Sequence, residues 1–280
     1  MRRLLLAVSI LFLASCGDDD AAPLDTPPST VTEPPVSTAA VSSYAYATGA
    51  DDVVIEVSYE NNFMPPQVLS VTAPVALITG VGRAISTGPT TLQFPGPLLP
   101  NLRQQSIRPE GIQALLGEAG ELGLLTAVEY VGNDRVTDMA NTVVTIAVDG
   151  ATYEHSAYAL DFEPESDPAR AALSQFVATM TDLAGTVGDE LGPDETYEPG
   201  AYLVRAQAVD LETMTFEVEP TVVAWPEQAP VRLADVGECA EVPADAVGVV
   251  LSEATQLTFY TDGDLTYEVS AVQQYPGRTC

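Results

Sequence analysis

The sequence contains no lysine, and all ten of its basic residues are arginine. Against them stand 40 aspartate and glutamate residues, which gives a formal net charge of −30. Binding to nucleic acid needs clustered lysine or arginine side chains, and this composition excludes such a role. The charge would also repel the body of the protein from anionic lipid. The carboxylates could attract cations or basic partners, but we favour the interpretation that they reflect a lysine-poor genome and a salty habitat.

Histidine and cysteine are scarce as well, with one histidine and three cysteines. The usual zinc sites need several such ligands, so they are disfavoured. The sequence has no H-E-x-x-H, P-loop, G-x-G-x-x-G or G-x-S-x-G pattern. These absences argue against the commonest metalloproteases, NTPases, dinucleotide enzymes and serine hydrolases, and we expect no cofactor.

The first sixteen residues are typical of a bacterial export signal. Arg2 and Arg3 form a positive n-region, and the apolar run over 4–13 is shorter than the roughly 20 residues that cross a bilayer. Leu-Ala-Ser-Cys follows at 13–16 and resembles a lipobox. We therefore predict a signal peptide over 1–15 and acylation of Cys16, with palmitate among the chains that anchor the protein. The predicted location is the outer face of the cytoplasmic membrane, or the outer membrane or periplasm in a Gram-negative source.

A change in composition divides the mature chain. Residues 16–50 are rich in proline, serine, threonine and acid without apolar periodicity, which predicts a disordered tether in which Tyr44 and Tyr46 are exposed. The remaining residues, about 230, are enough for one large domain or two small ones. We predict a first α+β domain over 51–225 and a smaller helix-hairpin unit over 226–280.

The two cysteines left after acylation are Cys239 and Cys280. A lone pair in an oxidising compartment is most simply a disulfide, which would fix the extreme C-terminus. A metal site lacks partner ligands nearby, and a redox role lacks a C-x-x-C motif. We therefore predict a structural disulfide.

Apolar periodicity predicts the elements of the folded part. Strands are expected over 52–57, 67–72, 75–79, 83–87, 142–148, 151–160, 200–209, 214–219 and 221–225. A helix is predicted to begin at Pro109, and a second begins behind the capping residue Asp167. Asp149-Gly150 forms the turn of a hairpin.

The hairpin has a second copy near the C-terminus. Thr-Tyr-Glu-His-Ser-Ala at 152–157 matches Thr-Tyr-Glu-Val-Ser-Ala at 266–271 in five of six positions, and each follows an Asp-Gly pair. A helix is predicted upstream of each. The chain therefore has two related helix-then-hairpin units, which predicts an α+β fold of mainly antiparallel sheets, each covered by a helix.

Several segments together resemble a group of uncharacterised lipoproteins from actinobacteria: Phe63-Met64-Pro65-Pro66, Gly82-Arg83, 95–116, 152–160 and the cysteine-terminated tail. The resemblance covers about 51–280. Two positions depart from it, Glu60-Asn61-Asn62 in place of a glycine-rich stretch and Arg108 in place of a hydroxyl helix cap. The resemblance implies a location and a fold but no catalytic residue.

Few side chains are candidates for chemistry. His155 is the only histidine, and because Val269 fills its slot in the second copy, we expect it to be packed or hydrogen-bonded on its strand. Asp161, Glu163 and Glu165 are weak calcium candidates in a loop that lacks EF-hand spacing, as does Asp262-Gly263-Asp264. Trp225, the only tryptophan, is expected to pack on the core.

Two functions remain open. We favour a non-enzymatic, lipid-anchored binding or structural module whose partner is an envelope protein or cell-wall component and whose membrane contact is the anchor alone. The alternative is a secreted hydrolase that uses a carboxylate pair, with His155 as the only other base. A solute-binding subunit is disfavoured because such proteins are usually built on parallel sheets.

Overall fold

The computed structural model describes residues 43–60, 73–132, 135–162 and 167–280. The described residues belong to one compact unit that spans 42–280. Several predictions lie outside these ranges: the signal peptide, Cys16, the tether up to residue 42, Phe63-Met64-Pro65-Pro66, the strand over 67–72, and two of the calcium candidates, Glu163 and Glu165.

A seven-stranded antiparallel sheet forms the first layer. Its strands are β1 (Val53–Glu60), β2 (Ala76–Thr79), β3 (Arg83–Thr87), β4 (Leu102–Ser106), β5 (Asn141–Val148), β6 (Ala151–Tyr158) and β7 (Glu195–Thr196), in the order β6-β5-β1-β2-β3-β4-β7. Alternation along β1 fixes its faces, because Ile55 and Val57 are fully buried whereas Glu56 between them points to the other side.

Three helices cover one face of this sheet: α1 (Pro109–Glu121), α2 (Pro168–Thr181) and α3 (Leu183–Val187). The side chain of Asp167 caps α2 by accepting a hydrogen bond from the Ala169 amide at 2.7 Å, as predicted. Arg108 gives α1 no side-chain cap. The apolar stripes of α1 and α2 pack on β1, β5 and β6 and form the first core, to which they contribute Ile112, Leu115, Leu116, Ala119, Leu173, Phe176, Val177 and Met180.

A second sheet has five strands: β8 (Ala201–Val209), β9 (Thr221–Ala224), β10 (Ala240–Pro243), β11 (Thr258–Asp262) and β12 (Leu265–Gln273), in the order β10-β8-β12-β11-β9. Only the β9–β11 pair is parallel. Helix α4 (Ala244–Ser252) packs on this sheet and forms a separate core with it. The predicted α+β class with mainly antiparallel sheets is confirmed.

The repeated strand lies in both sheets with the same phase. In β6 and in β12, the tyrosine, the variable fourth residue and the last alanine of the motif face inward, namely Tyr153, His155 and Ala157 in β6 and Tyr267, Val269 and Ala271 in β12. The turns differ by one residue. Asp149 and Gly150 occupy the first turn with φ of 53° and 74°, whereas Asp262 ends β11 and the second turn begins at Gly263, whose φ is 66°. The hairpin match therefore holds for the strands and not for the position of Asp-Gly.

The strands over 201–209 and 221–224 belong to the second sheet, although the sequence pattern predicts them within the first domain. The reason is that β8 pairs with β12 and β10, and alternation along a strand does not reveal its distant partners. The strand predicted over 214–219 is wrong. Of its alternating apolar residues, Phe216 packs edge to face on Phe259, with ring centroids 5.6 Å apart, whereas Met214 and Val218 are exposed. The segment pairs with none of the described strands.

The predicted tether ends earlier than residue 50. Residues 43–48 lie on the folded unit, where the Tyr44 main chain forms paired 2.8 Å hydrogen bonds with the Gln113 side chain. The Asp149 amide donates to the Ala45 carbonyl at 2.6 Å. Tyr44 and Tyr46 are partly buried against the first core, which corrects their assignment as exposed. Gly80 permits this approach, because a Cβ there would overlap the Ala47 carbonyl.

Candidate functional site

A cleft of about 340 Å³ lies on the face of the first sheet that the helices leave open. We call it the open-face cleft. The strand register places three of its side chains in one row, since Glu56 lies opposite Thr145 and Thr145 lies opposite Glu154. Its other lining residues are Ser58, Tyr59, Glu60, Ala73, Pro74, Val143, Tyr275 and Arg278. Polar side chains from three strands and from the C-terminal segment thus converge in one depression.

Glu56 is the most perturbed carboxyl group of the cleft. Burial raises its pKa above the ordinary value, while Arg278 opposes the rise and Glu60 adds to it. Within the described residues, the carboxylate of Glu56 accepts no hydrogen bond and forms no ion pair. A partly buried carboxylate in this position is incompletely solvated at neutral pH, and a bound donor group would stabilise it.

Tyr275 contributes a neutral phenol to the same cleft. Burial raises its pKa to about 12, with Arg278 opposing and Glu56 adding to the shift. At neutral pH its hydroxyl therefore keeps its proton and can act as a hydrogen-bond donor or acceptor. The aromatic ring also joins a small apolar cluster with Leu77, Ile85 and Leu102, which holds one wall of the cleft rigid.

The C-terminal segment that supplies Tyr275 and Arg278 is held at both ends. Before it, the Tyr197 hydroxyl donates to the Gln274 carbonyl at 2.8 Å. After it, Cys280 forms a disulfide with Cys239, and their Cα atoms are 5.5 Å apart. The predicted disulfide is confirmed, and its location adds a role that the sequence did not indicate. It fixes one wall of the open-face cleft.

His155 lies in β6 next to Glu154, but its side chain is on the opposite face of the sheet. Its Nε2 lies 2.7 Å from the Leu124 carbonyl oxygen, which can only accept, so Nε2 is the donor. In the neutral ring Nδ1 is then the acceptor, and it receives a hydrogen bond from the Tyr130 hydroxyl at 2.9 Å. The side chain is 1% exposed, and burial raises the pKa of Tyr130 to about 12. His155 is therefore hydrogen-bonded in place, as predicted, and it does not reach the cleft.

The calcium candidates are not brought together in the described residues. Asp161 is exposed, and its predicted partners Glu163 and Glu165 lie outside the described ranges, so that site stays a prediction. In the second acidic run, Asp262 forms an ion pair with Arg232 and accepts from the Leu233 amide at 2.7 Å. No group of three acidic, histidine or cysteine side chains that could hold a metal ion occurs among the residues described.

Trp225 has a structural role in the second core. Its ring packs edge to face on Tyr260 with centroids 5.5 Å apart, and its indole N–H donates to the Val231 carbonyl at 3.0 Å. The side chain is buried in the core that α4 covers. The tryptophan therefore packs on the core, as predicted.

Sequence reasoning missed the residues that define the cleft. Alternation along β1 gave the face of Glu56, and the repeat gave the face of Glu154, but neither pattern shows that the two strands lie on either side of β5. Tyr275 and Arg278 come from the far end of the chain. The predicted disulfide at Cys280 was the one available sign that this end is fixed.

Comparison with known proteins adds no family to this description. No protein-family model matches the chain, and no curated protein or solved structure matches it. In the part of the chain that is described, the helices are too short or too polar to cross a bilayer.

Proposed function

We propose that this chain is a lipid-anchored binding module of the bacterial envelope and that its open-face cleft holds the ligand. The export signal, lipobox and acidic tether of the sequence support the location, and Cys16 would carry the acyl chains. The resemblance to actinobacterial lipoproteins supports the same address. The anchor is then the only membrane contact, because the net charge of −30 keeps the folded unit away from anionic lipid.

The observation that carries the binding role is the state of Glu56. A partly buried carboxylate to which none of the described residues donates a hydrogen bond lowers the stability of the protein at neutral pH, so its presence favours a role other than folding. The surrounding groups suit a ligand with hydrogen-bond donors or a positive charge, because Glu56, Glu60 and Glu154 outnumber the single cation Arg278. A ligand with an uncharged acetamide in place of the amine would lose its electrostatic attraction to these carboxylates.

The address is tested by labelling cells with a palmitate analogue and separating membranes from soluble protein. Wild type is expected to label and to sediment with membranes, and Cys16→Ser is expected to do neither. Ser15→Ala is the matched control, because it keeps a small residue before the cleavage site. Labelled, membrane-bound Cys16→Ser protein would contradict the proposed anchor.

The cleft is tested by calorimetric titration of the full chain with a glucosamine tetramer and with its N-acetylated counterpart. Binding of the free-amine tetramer should be tighter, and Glu56→Gln should weaken it. Glu268→Gln is the matched control, because Glu268 occupies the position of Glu154 in the second copy and lies in the other sheet. Equal effects of the two substitutions would contradict a site at the cleft.

The carboxylate-pair hydrolase is a second candidate, and one observation favours it. Glu56 and Glu154 face the same cleft from strands on either side of β5, which places their Cα atoms about 9.5 Å apart, two strand spacings. The raised pKa of Glu56 suits a general acid, and Glu154 would activate water as in inverting glycosidases. His155 cannot serve as an additional base there, because it faces the helices.

Product analysis separates the two candidates. Under the hydrolase hypothesis, oligosaccharides incubated with the full chain are cleaved, and either Glu56→Gln or Glu154→Gln abolishes turnover. Under the binding hypothesis the same ligands are recovered intact, and the substitutions change affinity alone.

A further inference from the structure

Strand β6 is the longest edge strand of the two sheets, and its outer side has no partner among the described strands. The four outer strands are β6 and β7 in the first sheet and β9 and β10 in the second. β7 has two residues, β9 has four, and β10 has four and ends in proline. β6 has eight residues and no proline. Natural proteins usually shorten or block such an edge, because its unpaired main chain is a template for another strand.

The turn before β6 determines which of its main-chain groups are unpaired. Val148 and Ala151 close a two-residue turn, so the odd-numbered residues of β6 bond to β5. The amides and carbonyls of Thr152, Glu154 and Ser156 therefore point away from the sheet. No other described residue forms a hydrogen bond with them.

The second copy of the motif shows what occupies this position. In β12, Thr266, Glu268 and Ser270 correspond to those three residues, and they pair with β8 in antiparallel register. Gln207 lies opposite Glu268, and Arg205 lies opposite Ser270. The same six-residue motif thus has a neighbouring strand on this side in the second sheet, and none from the described residues in the first sheet.

The side chains of β8 define what fits beside the motif. Opposite the motif, Val204 and Ala206 face the second core and are small or branched apolar residues. Arg205 and Gln207, which alternate with them, are long and polar. In the first sheet the corresponding outer surface is more acidic, because Glu154 lies next to Glu56 across Thr145. A basic side chain opposite Glu154 would therefore reach the open-face cleft.

We propose that an extended segment of a basic partner protein docks along β6 as an antiparallel strand and places an arginine or lysine opposite Glu154. This inference rests on the proposed binding function and names its partner class. A second copy of the chain fits poorly, because pairing of β6 with itself about Glu154 would place like charges side by side on molecules of net charge −30. Main-chain bonds would give the affinity, and the alternate side chains would give the specificity.

The probe is a synthetic peptide that follows the β8 pattern with a second arginine, Tyr-Leu-Val-Arg-Ala-Arg-Ala-Val. It is titrated into the full-length protein, and amide hydrogen exchange is measured with and without it. We expect slower exchange at Thr152, Glu154 and Ser156. Glu154→Gln should weaken binding about twofold to fivefold, the range of one exposed ion pair. The control Glu268→Gln should leave the affinity unchanged.

Two N-methylated peptides separate strand pairing from simple charge attraction. Methyl groups on the two arginine amides remove the donors that face β6 and should abolish binding. Methyl groups on the two alanine amides, which face away, should be tolerated better. Equal binding of the two peptides, or binding without slower exchange in β6, would overturn the inference.

The same experiments distinguish this inference from the cleft proposal. If the glucosamine tetramer binds in a Glu56-dependent manner while the peptide does not bind, the cleft proposal stands and the strand-docking inference fails. If peptide binding depends on Glu154 and on the arginine amides but no glucosamine ligand binds, the inference stands and the amine-sugar test of the cleft fails. If neither probe binds, both proposals fail.

Discussion

Removing the disulfide should destabilise the whole unit and also release one wall of the open-face cleft. Cys239 lies directly before β10, and Cys280 follows the segment that carries Tyr275 and Arg278. The perturbation is the double variant Cys239→Ser, Cys280→Ser, or reduction of the wild-type protein. Either change leaves that segment attached only through β12 and its own contacts.

The expected loss follows from the length of the closed loop. The cysteines are 41 positions apart, and a loop of that length restricts the unfolded chain by about 4 kcal/mol in the loop-entropy model. For a unit of this size, 1 kcal/mol corresponds to about 2–4 °C in Tm, so the expected fall is about 8–16 °C. The folded segment keeps other contacts, since Tyr275 is 5% exposed and Gln274 accepts a hydrogen bond from Tyr197.

Urea unfolding, followed by circular dichroism at equal protein concentration, measures this loss. Reduced and oxidised wild type and the double variant are compared, and the reduced wild type should match the variant. Glucosamine-tetramer binding should weaken in parallel, because Arg278 and Tyr275 lose their fixed positions. Unchanged unfolding free energy in the variant would refute the entropy argument, and full stability loss with intact binding would refute the assignment of the cleft wall.

Three further substitutions test separate parts of the structure. Gly80→Ala should cost about 1–3 kcal/mol in urea unfolding, because the new Cβ overlaps the main chain of residues 47–48. His155→Val should cost about 1–3 kcal/mol and leave cleft binding intact, because it removes both buried hydrogen bonds of the imidazole. Glu56→Gln should raise the free energy of unfolding above that of wild type at pH 7, and this gain should be smaller at pH 4. The raised pKa means that wild type loses stability as pH rises from the ordinary value of 4.5 through the folded value.

Each of these has a control or a contrary outcome. Gly117→Ala adds a Cβ that meets nothing within 4 Å, so it should not destabilise as Gly80→Ala does. Loss of cleft binding in a stable His155→Val protein would place the histidine at the site after all. A Glu56→Gln variant with the same pH dependence of unfolding as wild type would show that Glu56 is not desolvated.

Local patterns in the sequence predicted the elements well, because their causes lie within a few residues. Asp167 and Pro168 mark the start of α2 through capping and a fixed φ, and Asp149-Gly150 marks a turn that needs positive φ at both central residues. Inward and outward positions of β1 and β6 follow from period two. These features need no knowledge of a distant partner.

Strand neighbours and the cleft could not be predicted in this way. The pairing of β8 with β12 joins segments more than fifty residues apart, and alternation along each is compatible with many partners. The cleft needs β1, β5 and β6 in the correct order and the C-terminal Arg278 folded back over them. Such an arrangement depends on tertiary packing, which is why Glu56 could not be distinguished from the other acidic residues.

The two copies of the repeated strand show how one motif serves two purposes in the same chain. In the second copy, Val269 faces an apolar core, and β8 and β11 pair with the strand on its two edges. In the first copy, the segment between α1 and β5 brings Leu124 and Tyr130 over the inner face. There His155 forms hydrogen bonds with the Leu124 carbonyl and with the Tyr130 hydroxyl. At the outer edge of β6, where none of the described strands pairs, water can form hydrogen bonds with the main chain, so an unpaired edge costs little. The difference between the copies therefore lies in what accompanies the strand, and a partner from outside the folded unit would complete the first sheet as β8 completes the second.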